Sequence, residues 1–340
     1  MPVEVSAVRG PLPPAVADEV RALAARAAAV DGVAPLSEQP LLWLTDPEAV
    51  VVHLLAREDD GRLVGYAQAD VALDAQASAE LVVDPAARGR GTGARLLDAA
   101  LAHAATVPGR RLHAWAHGDL DPARRLTTSA GGVVTRELLR MRVPLPPPHT
   151  HARTDRETVD RVEDVDHPGG LAGARPFPVG VTVRAFVPGR DEDAWRRVNA
   201  RAFARHPEQG RISDADLRAR EREPWFDPAG FLLAERDGVL LGFVWTKVHP
   251  AGEYGPEPVG ELYVVGVDPD AQGLGLGGAL TAAGLAHLAG RGLHEAILYT
   301  DADNAVAVHT YQRLGFAVEA VDRMFTFDTP GSRSDATMGG

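Results

Sequence analysis

One glycine-rich loop occurs twice in this chain, at positions 184 residues apart. The first copy is RGRGTG at residues 88–93, and the second is QGLGLG at residues 272–277. Each copy begins four residues after the Asp of an Asp-Pro pair. A repeat with so long a period indicates two related domains rather than a solenoid of short repeats.

The composition sets the broad class of protein. A length of 340 residues accommodates two domains of ordinary size. The net charge of −12 disfavours nucleic acid as a partner, because nucleic-acid binding requires a basic surface. No apolar run approaches the roughly 18 residues of a membrane span, and the first residues lack a secretion signal. The absence of cysteine excludes disulfides and thiolate metal sites. We therefore expect a cytoplasmic monomer without a membrane or nucleic-acid partner.

Each loop lies between a predicted strand and a predicted helix. Residues 79–83 form the strand before the first loop, and residues 93–105 form the helix after it. Residues 261–267 and 278–289 hold the same places in the second copy. In both copies a hairpin precedes this strand, and a strand, a helix and a last strand follow. The predicted fold class is therefore α/β, a mixed α+β domain made twice, each with a mostly antiparallel sheet flanked by helices.

The composition also predicts where the two domains end. Residues 144–179 are rich in proline and charge and can bury little apolar surface, so they are interpreted as a linker. The first domain is then residues 1–143 and the second is residues 180–328. Residues 329–340 are predicted to be a disordered tail.

Three kinds of loop could carry this glycine pattern. Backbone N–H groups at such a loop, together with a helix N-terminus, can hold a pyrophosphate. A Walker-type loop is excluded because no Gly-Lys-Ser/Thr follows. A dinucleotide-binding loop is disfavoured, although Gly273, Gly275 and Gly278 match its spacing. That loop directly follows the first strand of its fold, whereas here a hairpin precedes the loop strand and an Asp-Pro pair intervenes.

The third interpretation rests on a resemblance to a known superfamily. Both copies fit Arg/Gln-x-x-Gly-x-Gly, and residues 304–316 fit N-x-x-A-x-x-x-Y-x-x-x-G-F. In these two motifs the chain resembles the Gcn5-related N-acetyltransferases, whose glycine loop binds the pyrophosphate of coenzyme A. The resemblance implies two tandem acetyltransferase domains that use acetyl-CoA as a co-substrate.

The two copies are not equivalent in sequence. At the 184-residue offset, Thr127 takes the place of Tyr311, and Leu120 takes the place of Asn304. The second copy also has additional residues between its Glu-Leu pair, which begins at Glu261, and its Asp-Pro pair. These additional residues predict a β-bulge at residues 265–267, just before the loop. We therefore expect the second domain to be catalytic and the first to be non-catalytic.

A closer resemblance runs through both domains, over residues 20–143 and 180–327. There the chain is similar to the mycothiol synthase family of actinobacteria, which acetylates the cysteinyl amine of a cysteinyl-glucosaminyl-inositol with acetyl-CoA. The resemblance implies this small-molecule amine as the substrate. Its most specific stretches are residues 29–35, 115–118, 121–124, 206–210, 225–228, 245–250 and 264–269.

The reaction class and the resemblance together imply roles for particular residues. The amine must lose a proton before it attacks the thioester, and the leaving thiolate must be stabilised. Glu261 is the expected base or ammonium anchor, and Tyr311 is the expected acid. The expected acetyl-CoA contacts in the second domain are Val265, Gly266, Val267, Gln272, Gly273, Leu274, Gly275, Leu276, Gly277, Gly278, Asn304 and His309.

Further sites follow from the same resemblance. A second coenzyme A could bind in the first domain, and an empty pocket there is the alternative. Its contacts would be Leu81, Val82, Val83, Gly89, Arg90, Gly91, Thr92, Gly93 and Ala94. Glu38, Glu208, Lys247, Glu261 and Tyr299 are expected to bind the amine substrate. No metal is expected, because the histidines show no metal-binding spacing.

Two other functions stay open from the sequence. The chain could acetylate another amine, such as a polyamine, an antibiotic or a protein N-terminus. It could also be a non-catalytic sensor of acetyl-CoA, although the presence of Tyr311 and of the predicted bulge argues against that function.

Overall fold

The computed structural model describes residues 3–146, 176–204 and 207–329, without the side chains of residues 207 and 208. Most of the predicted linker and the tail beyond residue 329 lie outside the described residues. Thr329 does not belong to a disordered tail, because it is buried and its hydroxyl donates to the Arg110 carbonyl.

The two halves of the chain contain nearly the same succession of elements. The first half contains β1 (Glu4–Arg9), α1 (Pro14–Asp31), α2 (Glu38–Leu42), β2 (Val51–Arg57), β3 (Leu63–Asp70), β4 (Gln76–Val83), α3 (Thr92–Ala104), β5 (Arg111–Ala116), α4 (Asp121–Ser129) and β6 (Val133–Pro144). The second half contains β7 (Thr182–Ala185), α5 (Glu192–Ala202), α6 (Pro207–Gly210), α7 (Asp214–Glu221), β8 (Phe231–Arg236), β9 (Val239–His249), β10 (Val259–Val267), α8 (Leu276–Gly290), β11 (Glu295–Asp301), α9 (Ala305–Arg313) and β12 (Ala317–Phe327). The predicted fold class, a mixed α/β domain made twice, is confirmed.

The chain forms two compact units that differ from a simple division at the linker. Unit one consists of Met1–Leu139 and Ala320–Gly340, and unit two consists of Arg140–Glu319. The difference arises because the C-terminal part of the last strand of each half belongs to the other unit. Strand β6 enters unit two from residue 140 onward, and β12 enters unit one from residue 320 onward. A sequence pattern cannot show this, because each strand still follows its own helix along the chain.

In unit one the strands pair in the order β1-β2-β3-β4-β5-β12. The pairs are antiparallel except for β4 with β5, and residues 323–327 of β12 pair antiparallel with β5. Helix α3 covers one face of the sheet because its apolar residues recur at helical spacing. Its buried side chains include Leu96, Leu97 and Ala100. Helix α1 buries Val20 and Leu23 in a second apolar cluster with side chains of β2 and β3.

In unit two the strands pair in the order β11-β10-β9-β8-β7, and β10 with β11 is the parallel pair. The core is aromatic. Trp245 of β9 stacks on Phe231 of β8 with ring centroids 4.5 Å apart, and Trp195 of α5 packs edge-on against both. Such ring pairs add to the area they bury. These ring contacts stabilise β8 and β9, and β9 pairs with β10.

The parallel strands part at the same place in each unit. The ladder between β4 and β5 ends at the pair Ala79–Ala114, although β4 continues to Val83. The ladder between β10 and β11 ends at Leu262–Leu298, although β10 continues to Val267. The last residues of β4 and β10 therefore line an opening that leads to the glycine loop.

Candidate functional site

Both glycine loops have the backbone that a phosphate cradle needs. Gly273 and Gly275 have φ angles of +81° and +82°, and Gly89 and Gly91 have +75° and +81°. These left-handed conformations favour glycine. A Cβ atom added at any of these four positions would have no neighbour within 4 Å, so the space above each loop is open. Each loop leads into a helix N-terminus, which favours anions. The loops therefore fit a pyrophosphate.

The β-bulge of unit two lies earlier than the sequence predicts. Strands β9 and β10 pair Leu262 with Thr246 and then Val264 with Trp245, so the extra residue is Tyr263. Residues 265–267 pair regularly, and the prediction of a bulge there is wrong. A Cβ on Gly266 would lie 2.6 Å from the Phe243 ring, so this position in the regular pairing requires glycine.

The bulge changes which residues of the two units correspond in space. In unit one, β3 and β4 form six consecutive pairs from Gly65–Val83 to Asp70–Ser78 without a break. Counted from the loop, Glu261 therefore takes the place of Ser78, and Lys247 takes the place of Asp70. The Glu-Leu pairs that begin at Glu80 and Glu261 match in sequence, but they do not occupy corresponding positions in the two sheets.

Glu261 is the first residue of a buried hydrogen-bonded network in unit two. Its side chain is buried, and its Oε2 lies 2.6 Å from Nε2 of His249. The other ring nitrogen of His249, Nδ1, lies 2.9 Å from Oε1 of Glu253. Burial lowers the pKa of His249, but the two carboxylates outweigh burial and raise it to about 9. At neutral pH the ring is therefore an imidazolium.

Tyr311 occupies helix α9 as the motif predicts. Its ring packs against Phe316 with centroids 5.8 Å apart, and burial raises the pKa of its phenol to about 12. The phenol therefore keeps its proton at neutral pH and can donate it. Asn304 caps this helix, because its Oδ1 accepts a hydrogen bond from the Ala307 N–H at 3.2 Å. Exposed His309 lies on the same helix.

Lys247 is held over two aromatic rings. Its Nζ lies 4.5 Å from the ring centre of Trp225 and 5.4 Å from that of Tyr263, within cation–π range. Its Cα is paired with that of Glu261 across the two strands. The ammonium of Lys247 is therefore held near a pair of aromatic rings. A signal in the sequence that went unused is that Lys247 is the single lysine of the chain.

The other predicted substrate residues lie in different places. The hydroxyl of Tyr299 on β11 lies 3.3 Å from that of Tyr254, which sequence reasoning missed. Glu38 is in α2 and belongs to unit one. The side chain of Glu208 lies outside the described residues. His249 and Glu253 were also missed as site residues, although the alternation of a strand places His249 and Lys247 on the same face.

Unit one contains a cavity of about 300 Å³ at its strand opening. It is lined by eight of the nine residues predicted to contact a second coenzyme A, namely Leu81, Val82, Val83, Gly89, Gly91, Thr92, Gly93 and Ala94. Thr127, which takes the place of Tyr311, also lines the cavity, but its hydroxyl donates to the Ala123 carbonyl of its own helix at 2.9 Å. The predicted ninth contact, Arg90, lies near Glu58.

Unit one also buries a carboxylate beside a histidine. Glu80 accepts hydrogen bonds from Ser37 N and Oγ at 2.6 and 2.7 Å, and it lies 3.4 Å from His117. His117 in turn lies 3.0 Å from Asp322 of β12. Burial opposes the charged ring, but Glu80 and Asp322 outweigh burial and raise the pKa of His117 to about 10. This hydrogen-bonded network connects Ser37, which precedes α2, and Asp322 of β12 to β4 of unit one.

Two further observations concern membranes and metals. No helix in the described ranges is long and apolar enough to cross a membrane. Among the same residues, no three or more His, Asp or Glu side chains come together as a metal site.

Residues 19–131 and residues 195–316 each match the model of the acetyltransferase (GNAT) family. With two glycine loops at two strand openings, the fold and site define a tandem acetyltransferase that uses acetyl-CoA. The chain belongs to the mycothiol acetyltransferase family within that class. It is 58% identical to the Mycothiol acetyltransferase of Cellulomonas flavigena, over 99% of this chain and 98% of that relative. It is 51% identical to the Mycothiol acetyltransferase of Sanguibacter keddieii, over 94% and 95% of the two chains.

A solved structure shows the same fold. It is a tandem GNAT protein from the clavulanic acid biosynthesis pathway, with a TM-score of 0.65. The alignment covers 98% of this chain and 100% of that one at 18% identity. At that identity the likeness concerns the fold alone.

Proposed function

We propose that this protein transfers an acetyl group from acetyl-CoA to the cysteinyl amine of desacetylmycothiol, 1D-myo-inositol 2-(L-cysteinylamino)-2-deoxy-α-D-glucopyranoside. This reaction is the last step of mycothiol biosynthesis. Family membership at more than half identity over nearly the whole chain carries the proposal. The site of unit two, with Glu261 and Tyr311, supports it chemically. We place the reaction in the cytoplasm, in a monomer, with no metal required.

Glu261 and Tyr311 divide the proton transfers between them. Glu261 accepts the proton of the substrate ammonium, directly or through a water, so that the neutral amine can attack the thioester. Tyr311 donates its phenolic proton toward the departing thiolate. Acetyl-CoA supplies the acetyl group, and no covalent enzyme intermediate is required.

The strand opening of unit two positions the thioester. Residues 265–267 pair with β9 on one side of the strand. On the other side they lie past the last residue pair between β10 and β11. We assign the N–H groups of Val265 and Val267 to the thioester and pantetheine. The loop from Gln272 to Gly278, at the N-terminus of α8, binds the pyrophosphate. Orientation of both substrates then supplies much of the rate.

The amine substrate carries several hydroxyl groups that need polar partners. Lys247 supports such a role because the aromatic rings fix its ammonium beside the strand that carries Glu261. Tyr299 offers a hydroxyl near the same strands. Glu38 and Glu208 complete the proposed set on the strength of the family resemblance alone.

Unit one is proposed to bind a second acetyl-CoA without catalysing transfer. The open glycine loop and the cavity of about 300 Å³ support binding. Thr127 cannot replace a phenol as an acid, and Glu80 is engaged by Ser37. Titration calorimetry with saturating acetyl-CoA is expected to give two sites per chain, and a single site would contradict this proposal.

The proposed function is tested by the rate of acetyl transfer to desacetylmycothiol. Wild type is expected to turn over, and Glu261→Gln is expected to lose roughly 100-fold or more in kcat/KM, because the amine then lacks its base. Glu257→Gln is the matched control, since Glu257 is an exposed carboxylate before β10. It should change the rate less than twofold. Turnover with another amine but not with this one would overturn the substrate assignment.

A further inference from the structure

His249 is a buried cation between two carboxylates. Its side chain is 3% exposed, and its two ring nitrogens lie 2.6 Å from Glu261 and 2.9 Å from Glu253. Glu253 is 41% exposed. The three side chains therefore form a line from the candidate base to the surface of unit two.

Aromatic side chains hold the imidazole ring in this orientation. The ring of Tyr254 meets His249 edge-on, with centroids 4.6 Å apart. The Tyr254 hydroxyl lies 3.3 Å from Tyr299, and the Arg140 guanidinium lies 5.3 Å from the Tyr254 ring centre. The titratable groups that face His249 are thus Glu253, Glu261 and Tyr254, with Tyr299 and Arg140 behind them.

A buried base needs help to stay ionised. Removal from water favours the neutral form of a carboxyl, and a neutral Glu261 could not accept the ammonium proton. A nearby imidazolium favours the carboxylate and fixes one of its oxygens. In the described part of the chain, the hydrogen bond of the Glu261 side chain is the one to His249. Its Oε1 is therefore available to the amine or a bridging water.

Unit one shows that the same pair of residue types can serve another purpose. Glu80 also faces a histidine, but both of its oxygens accept hydrogen bonds from Ser37. Both oxygens of Glu80 are therefore occupied by Ser37, whereas among the described residues the Glu261 side chain is hydrogen-bonded to His249.

We propose that His249 is a positioning residue that keeps Glu261 ionised and aimed at the substrate amine, with Glu253 as its anchor near the surface. This inference rests on the proposed role of Glu261 in acetyl transfer. It adds a residue that acts on the base and not on the substrate.

The first test is the pH dependence of kcat/KM for the amine. His249→Gln can keep a hydrogen-bond donor but removes the charge, so the acidic limb is expected to move up by about one pH unit or more. The KM for acetyl-CoA should stay within twofold. His294→Gln, at an exposed histidine of the same unit, is the control and should leave the profile unchanged. If His249→Gln lowers kcat/KM by the same factor at every pH, the role of His249 is merely structural and the inference is overturned.

The second test needs no turnover. The ring-carbon NMR signal of His249, assigned by its disappearance in His249→Gln, should show an imidazolium at pH 7.5 in the wild type. In Glu261→Gln its pKa should fall. A neutral ring in the wild type at that pH would overturn the inference. If the wild type fails to acetylate desacetylmycothiol, the proposed substrate fails instead, and the NMR titration still decides the charge of His249.

Discussion

Strands β4 and β10 each lead into a glycine loop of the same kind, but β10 contains one residue more than β4. In unit one the strand pairs without a break, and its carboxylate, Glu80, is bonded to Ser37. In unit two the extra residue Tyr263 shifts everything before it by one position, and Glu261 comes to lie beside Lys247. Because strand side chains alternate between faces, a one-residue insertion redirects every side chain that precedes it. Both units contain the loop that fits a phosphate, whereas the bulge of β10 puts the candidate base Glu261 at a different register position from the structural carboxylate Glu80.

The largest expected effect tests Tyr311, the proposed acid of unit two, whose place is taken by Thr127 in unit one. Tyr311→Phe should lower kcat by roughly 10²–10³-fold, because the thiolate then leaves without a proton donor. Tyr66→Phe is the matched control. It removes a phenol from the core of unit one, where the hydroxyl lies 2.7 Å from His53, and should affect stability more than turnover. Equal losses of kcat in the two variants would contradict the assignment of Tyr311.

The second effect concerns two buried histidines in opposite charge states, His53 of unit one, which is neutral, and His249 of unit two, which is charged. Burial lowers the pKa of His53 in unit one to about 4. The unfolded chain then binds the proton more tightly, so stability is full above pH 6.5 and is lost as the pH falls toward 4. The loss should be about 3 kcal/mol. Urea unfolding of the wild type and of His53→Gln between pH 7 and 4 measures it. If the free energy of unfolding depends on pH equally in the wild type and in His53→Gln, His53 is not buried as a neutral ring.

The third effect compares the same substitution in the two loops. Gly275→Ala and Gly91→Ala each place a methyl group over an open loop and strain a left-handed residue by roughly 1–2 kcal/mol. Gly275→Ala should raise the KM for acetyl-CoA about tenfold. Gly91→Ala should weaken the second binding event in calorimetry and should cost turnover less than Gly275→Ala. Equal effects on turnover would mean that the units share the catalytic work.

The smallest expected effect concerns the lysine that unit one replaces with Asp70. Lys247→Met keeps much of the apolar stem but loses the ammonium held by Trp225 and Tyr263. The KM for the amine should rise about fivefold, on the order of 1 kcal/mol, with kcat nearly unchanged. Lys247→Arg keeps the charge and should lose less. If the KM for acetyl-CoA rises instead, Lys247 belongs to the other substrate.

The sequence predicted much of the fold because its signals are local. The loops, the helices after them and the motif that contains Tyr311 depend on spacing along one segment. The bulge was placed wrongly because its position is defined by the pairing of β10 with β9, which a single segment of sequence does not show. The shared Glu-Leu pairs suggested that Glu80 and Glu261 correspond, but the registers of the sheets show that they occupy different positions. No site role was predicted for His249, because its partners Glu253 and Glu261 lie beyond a turn.

The exchange of last strands has a consequence for how such a gene can change. Residues 140–144 come from the half without a candidate acid, yet they belong to unit two. There Arg140 lies over the Tyr254 ring, and Arg142 donates to the Tyr254 carbonyl at 2.9 Å. A chain cut at residue 180 would lose both arginines and would leave β12 without β5. Deletion of the first half would therefore also remove part of unit two and leave part of unit one behind.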